Sequence, residues 1–150
     1  MRHIDLQFQD LSLMKLQLLM NNYFSKYKFI FYLCNIILII LYLFPGSLLG
    51  CYFYNDCKIQ PQITANFIVS TNHLYAYIVL SVIGFLTYRK SNQFNILSIY
   101  LIFLSIVLEV LQYFVPSRSF EFSDLFGNLA GVIIAIILFY FFKNNENFKN

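Results

Sequence analysis

"EVLQYFVPSRSFEFSDLFGNLAG", residues 109–131, is the stretch on which the fold turns. It places Glu109, Gln112, Arg118, Glu121, Asp124 and Asn128 between two runs with almost no polar character. Pro116 cannot continue a helix, and Ser123-Asp124 stands where a helix start is capped. The stretch therefore reads as the end of one apolar helix, a short connector and the start of the next. It is either a wet loop between two buried helices or the working part of the molecule.

Outward from it, the chain is greasy throughout. It has 150 residues, 59% hydrophobic and 11% charged, against roughly 25% charged in soluble domains. A water-soluble domain of this length cannot hide so much apolar surface, whereas a bilayer removes the need. The class is integral membrane protein, one domain, all-α. The net charge of +3 comes without a Lys/Arg-rich run, so no nucleic-acid partner is expected.

Four segments approach the roughly 20 apolar residues that cross a bilayer: Phe29–Phe44, ending at Pro45-Gly46; His73–Tyr88, ending at Arg89-Lys90; Phe94–Val115, ending before Pro116; and Leu125–Phe142, ending at Lys143. These predict a compact bundle of four transmembrane helices over residues 29–142. Before it lies a cytoplasmic or interfacial segment, 1–28, and after it a short cytoplasmic tail, 143–150. The first segment mixes Leu, Met and Phe with isolated charges, as an interfacial amphipathic helix does; translation from Met14 or Met20 is the alternative. Of the ten Lys and Arg residues, only Lys58 and Arg118 fall opposite the others when the N-terminus is inside. The positive-inside rule then puts both termini in the cytoplasm, with loops 45–72 and 116–124 outside.

The cysteines lack metal-ligand spacing. Cys34 sits in an apolar run as a small core residue. Cys51 and Cys57 flank "YFYND" on the side expected to be oxidising, where a disulfide between them can form. "SLLGC" loosely matches a lipoprotein signal with Cys51 lipidated, but three later spans make such processing unnecessary.

Residues three, four or seven apart share a helix face. His73, Tyr77, Ser81, Gly84 and Tyr88 form one stripe; Ser98, Ser105, Glu109 and Gln112 a second; Asp124, Asn128, Gly131 and Ala135 a third, with Gly127 and Gly131 spaced for helix packing. Such small-and-polar seams face neighbouring helices in membranes. At about 1.5 Å per residue, Glu109 lies about 21 Å from Asn95, in the outer half of the membrane, and Asn128 about 6 Å inward of Asp124. His73, Glu109, Gln112, Arg118, Asp124 and Asn128 are thus expected to converge on one outer polar patch. An ionised side chain at mid-bilayer costs about 2.5–3.5 kcal/mol. Arg118 is the partner expected to offset Glu109, either as a structural ion pair or as part of a ligand site. Asp124 reads equally as a helix cap.

With these residues placed, the stretch resembles the signature of the VanZ-like family of small bacterial membrane proteins. There a Glu and a Gln on one helix are followed by Pro-x-Arg, Asp and Asn-x-x-Gly. The matching positions here are Glu109, Gln112, Pro116, Arg118, Asp124, Asn128 and Gly131. The family also has a histidine opening an earlier helix; "STNHLYAYIVLSVIGFL" is similar at His73, with Thr71-Asn72 where Asp-Lys is usual. The resemblance spans residues 30 to 142. It implies a bacterial inner-membrane protein of the cell envelope, in a family named from a protein associated with low-level resistance to the glycopeptide teicoplanin. Two readings follow. One is a non-enzymatic protein whose outer patch binds a lipid-linked cell-wall precursor or meets a glycopeptide, beside membrane lipids. The other is a membrane-embedded hydrolase or transferase on a lipid-linked substrate, with Glu109 or His73 as base and Arg118 stabilising charge. No catalytic triad, metal-ligand set or phosphate loop is recognised, so no cofactor and no metal are expected.

Overall fold

The computed structural model describes residues 27–65, 68–88 and 91–147. The interfacial helix expected within 1–28 lies outside these residues except for Tyr27 and Lys28, as do Arg89, Lys90 and residues 148–150. Among the described residues all regular structure is helical: α1 (Tyr27–Leu43), α2 (Leu48–Tyr54), α3 (Thr71–Thr87), α4 (Ser91–Gln112) and α5 (Phe122–Asn147).

Four of these coincide with the expected apolar segments, but length divides them. α4 and α5 are long and apolar enough to cross a bilayer, over Gln93–Gln112 and Phe122–Phe142. α1 and α2 count as a third crossing only if the bent pair is one span. α3, with 17 residues, rises about 25 Å against a hydrocarbon core of roughly 30 Å. The structure therefore supports an all-α protein with two to three candidate crossings.

α2 falls within the region expected to be a loop. α1 is broken at Pro45-Gly46, where Gly46 takes φ +81°, a left-handed conformation that residues with a Cβ avoid. The chain turns by 81° into α2, whose N-cap Ser47 accepts the Gly50 N–H on its hydroxyl at 3.0 Å. Asn55 closes the helix in the left-handed region, and a disulfide joins Cys51 to Cys57. Too short to show a periodic signal, α2 is set by its caps.

The three seams turn inward. On α3, His73, Tyr77, Ser81 and Gly84 are buried; on α4, Ser105, Glu109 and Gln112; on α5, Asn128, Gly131 and Ala135. Ser98, Tyr88 and Asp124 are half-buried. α5 packs most extensively on α3, then on α4. The contact with α3 runs through Gly127 and Gly131, where an added Cβ would stand 2.6 Å from the carbonyl oxygens of Ser70 and Leu74 respectively. The Ser70 N–H also donates to the Ser123 carbonyl at 3.1 Å, so the starts of α3 and α5 are fastened side by side. Below this contact lies an apolar core that includes Leu80, Leu101, Leu108 and Val132. The outward faces carry Ile36, Ile99, Phe103, Ile137 and Phe141, all exposed, as suits helices whose solvent is lipid.

Candidate functional site

The last turns of α1 and α4 and the first turns of α3 and α5 meet at the end carrying Pro45 and Pro116, together with the connector 113–121. Glu109 is fully buried. Its Oε1 accepts the backbone N–H of Glu121 at 3.1 Å and its Oε2 accepts the amide of Asn128 at 3.4 Å. Asn128, also fully buried, turns the other end of its amide to Tyr42, whose hydroxyl donates to Oδ1 at 2.6 Å. His73 Nδ1 lies 3.1 Å from that hydroxyl oxygen, 3.2 Å from Asn128 Oδ1 and 3.9 Å from Glu109 Oε2. Its other nitrogen, Nε2, lies 3.3 Å from Asp124 Oδ2.

Four of the six expected residues, His73, Glu109, Asp124 and Asn128, thus join in one network drawn from α3, α4 and α5. Gln112 and Arg118 stand beside it. Gln112 is buried against α1 and donates to the Tyr42 carbonyl at 3.3 Å.

Arg118 departs from the expected pairing with Glu109. Its guanidinium donates to the carbonyls of Leu41 at 3.2 Å and Phe44 at 3.4 Å, and to Gln60 Oε1 at 3.5 Å. The last turn of a helix leaves carbonyls unbonded, and a cation there also meets the negative end of the helix dipole. Arg118 satisfies that demand for α1 across the Pro45 break, while Glu109 faces α5. Burial lowers the Arg118 pKa from its ordinary value, and the charge of Asp124 opposes that shift.

Tyr42 is the member that sequence reasoning missed. It is one of 12 tyrosines, in an aliphatic run with nothing to set it apart. Only its place one turn before the Pro45 break hints that its polar tip meets other helix ends. At positions 71 and 72, Asn72 bonds the Pro61 carbonyl at 2.7 Å and the Ile63 N–H at 3.0 Å, and Thr71 the Thr64 carbonyl at 2.8 Å. The two residues hold the 61–64 loop over the start of α3.

Between α1, α3 and that loop lies a cavity of about 490 Å³. Its long walls are apolar, with Leu38, Leu41, Ala76 and Val79, and one end is polar, with His73 and Arg118.

Helices with lipid-suited outer faces around a buried polar network define a multi-pass membrane protein. The family model described as VanZ/LLP1 matches residues 6–143, and the chain belongs to that family. The match begins well upstream of α1. No curated protein and no solved structure matches the chain.

Proposed function

We propose that this is a bacterial cell-envelope protein with four membrane crossings and both termini cytoplasmic, whose outward-facing polar site binds a lipid-linked cell-wall intermediate. The observation that carries this reading is the cavity of about 490 Å³, apolar along α1 and α3 and ending on Arg118 and His73. That division suits an amphiphile with an anionic head. Arg118 has five N–H donors, and three of its nitrogens each make one bond to the protein. The remaining donors suit a phosphate or carboxylate, a geometry Arg favours. His73, Glu109, Gln112, Asp124 and Asn128 hold the polar end in shape. A protein that sequesters or presents such a lipid would act where glycopeptides find their target, which links the reading to teicoplanin.

The test is binding of undecaprenyl phosphate to the purified protein in lipid nanodiscs, followed by native mass spectrometry. Retention of the lipid by wild type and an affinity loss of about tenfold, as for a charge-assisted hydrogen bond of roughly 1.5 kcal/mol, in Arg118→Ala would support the reading. Equal retention by both would overturn it. The contacts of His73 with Asp124 and Glu109 favour a second reading, a hydrolase or transferase on the same lipid class, because a histidine between carboxylates suits proton transfer. Turnover of the labelled probe that vanishes in Glu109→Gln would select it.

A further inference from the structure

We propose that His73, Glu109 and Asp124 form a binding site for a divalent transition-metal cation of the zinc class. The inference goes beyond lipid recognition and rests on a different observation, the gathering of one ligand atom each from His73, Glu109 and Asp124 within 4.8 Å of one another.

The argument starts at Asn128. Its Nδ2 faces two acceptors, Glu109 Oε2 at 3.4 Å and the Ser105 carbonyl at 3.5 Å, which fixes Oδ1 toward Tyr42 and His73. The single hydroxyl proton of Tyr42 goes to that Oδ1 across 2.6 Å. At His73 Nδ1 the two neighbours, Tyr42 Oη and Asn128 Oδ1, are then both acceptors. Nδ1 must carry the ring proton. In the neutral ring Nε2 is therefore a bare lone pair, and it points at a carboxylate oxygen of Asp124 3.3 Å away. Two acceptors face each other, so a proton or a cation has to lie between them.

A second proton on His73 would supply one charge. With both carboxylates ionised, it would leave two negative charges beside one imidazolium, with Glu109 fully buried. Among the described residues only His73 lies within ion-pair distance of Glu109 and Asp124, while the Arg118 guanidinium, bonded to the α1 carbonyls, acts on both carboxylates from farther off. Uncompensated buried charge is strongly disfavoured. A dication balances both carboxylates and leaves the ring neutral, the form that ligates metals.

The donor geometry agrees. One donor atom from each of the three residues lies within 4.8 Å of the others. Bonds of roughly 2.0–2.2 Å place two ligands of a tetrahedral zinc roughly 3.3–3.6 Å apart, the spacing His73 Nε2 and Asp124 Oδ2 already have. Glu109 Oε2, whose recorded contact is with the other ring nitrogen at 3.9 Å, has to move toward Nε2 to reach bonding distance. One imidazole nitrogen with two carboxylates suits zinc better than magnesium, which prefers oxygen alone. Metal-binding histidines are oriented by a hydrogen bond at the other ring nitrogen, and here Tyr42 and Asn128 provide it. Tyr77 adds an independent mark. Its fully buried hydroxyl lacks a hydrogen-bond partner among the described residues and lies within electrostatic reach of Glu109. An ion carrying a water beside Glu109 would satisfy it.

Untagged full-length protein in detergent micelles, stripped by chelator and dialysed against Zn²⁺, should keep close to one zinc per chain after desalting, measured by plasma mass spectrometry. His73→Gln, Glu109→Gln and Asp124→Asn should each weaken retention by about tenfold or more, the range that loss of metal-site groups produces. If these variants fail to fold, Co²⁺-loaded wild type decides the matter. Its X-ray absorption should show imidazole nitrogen and oxygen donors without sulfur. Loss of zinc from wild type at the first desalting step would leave His73–Asp124 an imidazolium ion pair and overturn the proposal. A sulfur-containing shell, or wild-type retention in folded variants, would do the same. Lipid retention by Arg118→Ala is a separate reading, so either proposal can fail alone.

Discussion

Asn128 spends both ends of one amide on groups from three other helices: Tyr42 on α1, His73 on α3 and Glu109 on α4. Its removal strands each of them in a buried place. Asn128→Ala should lower stability by about 1–3 kcal/mol, the cost of leaving buried polar groups unpaired. Tyr42→Phe, which deletes one donor, should cost about 1 kcal/mol. The two must be strongly non-additive, because Tyr42 has lost its acceptor once Asn128 is gone. Thermal unfolding of both single variants and the double variant in one detergent checks this, and additive losses would mean that the hydroxyl does not serve Asn128. The same network shows how far the site could be read from residues. Glu109 and Asn128 were legible because a carboxylate and an amide in apolar helices must face inward. Tyr42 was not, because a tyrosine in a membrane helix sits equally well in core, lipid or interface. Arg118 was legible as a residue of this end of the molecule but not in its partner. Charge complementarity pointed to Glu109, whereas the unbonded carbonyls of α1 exist only once the chain breaks at Pro45.

At the scale of elements, the sign of one substitution tests how α5 meets α3. In an ordinary helix Gly→Ala is favourable by up to about 1 kcal/mol. At Gly131 the new Cβ would stand 2.6 Å from the Leu74 carbonyl oxygen and 2.9 Å from Tyr77 Cβ, and a backbone carbonyl has no flexible end to give way. Gly131→Ala should therefore destabilise, by about 1–3 kcal/mol for overpacking at a close contact, and the network above it should loosen. Unfolding in detergent reads the sign directly; a stabilised variant would show that α5 does not lie this close to α3. The helices themselves were largely legible, since long apolar runs ended by Pro or by basic residues fix where α1, α3, α4 and α5 lie. Their ends were less so. α4 stops at Gln112, three residues before the expected Val115: Tyr113, Phe114 and Val115 donate to carbonyls three residues back in tightened turns, Pro116 disfavours the helical conformation at Val115, and Ser117 takes φ 62°. α2 was invisible in the sequence. Seven residues carry no periodicity, and its caps, Ser47 and Asn55, look like ordinary loop residues.

Among the described residues the buried ionisable groups gather at one end, with apolar side chains around the girth, and the question at this scale is which side of the membrane that end faces. Its 17-residue α3 is short for a crossing, yet it is held against α5 through Gly127 and Gly131 and carries His73 to the level of Glu109 and Asp124. If α5 crosses, α3 runs beside it through most of the bilayer. The basic residues then decide the sign. Among the described basic residues only Lys58 and Arg118 lie at the polar end, while Lys28 and Lys143 stand toward the far ends of α1 and α5, and positive charge is retained on the cytoplasmic side. A reporter enzyme active only outside the cytoplasm should accordingly be active when fused after residue 120 and inactive when fused after residue 90 or residue 143. Cys51 and Cys57 give a second reading that needs no fusion. On the oxidising side they should resist maleimide labelling in intact cells until a reductant is added, whereas in the reducing cytoplasm they would label at once after lysis without one. Fusions active after 90 and 143 but silent after 120 would turn the site toward the cytoplasm. The case for a lipid-linked wall intermediate would then fall, while the metal site, which depends only on how His73, Glu109 and Asp124 face one another, would stand.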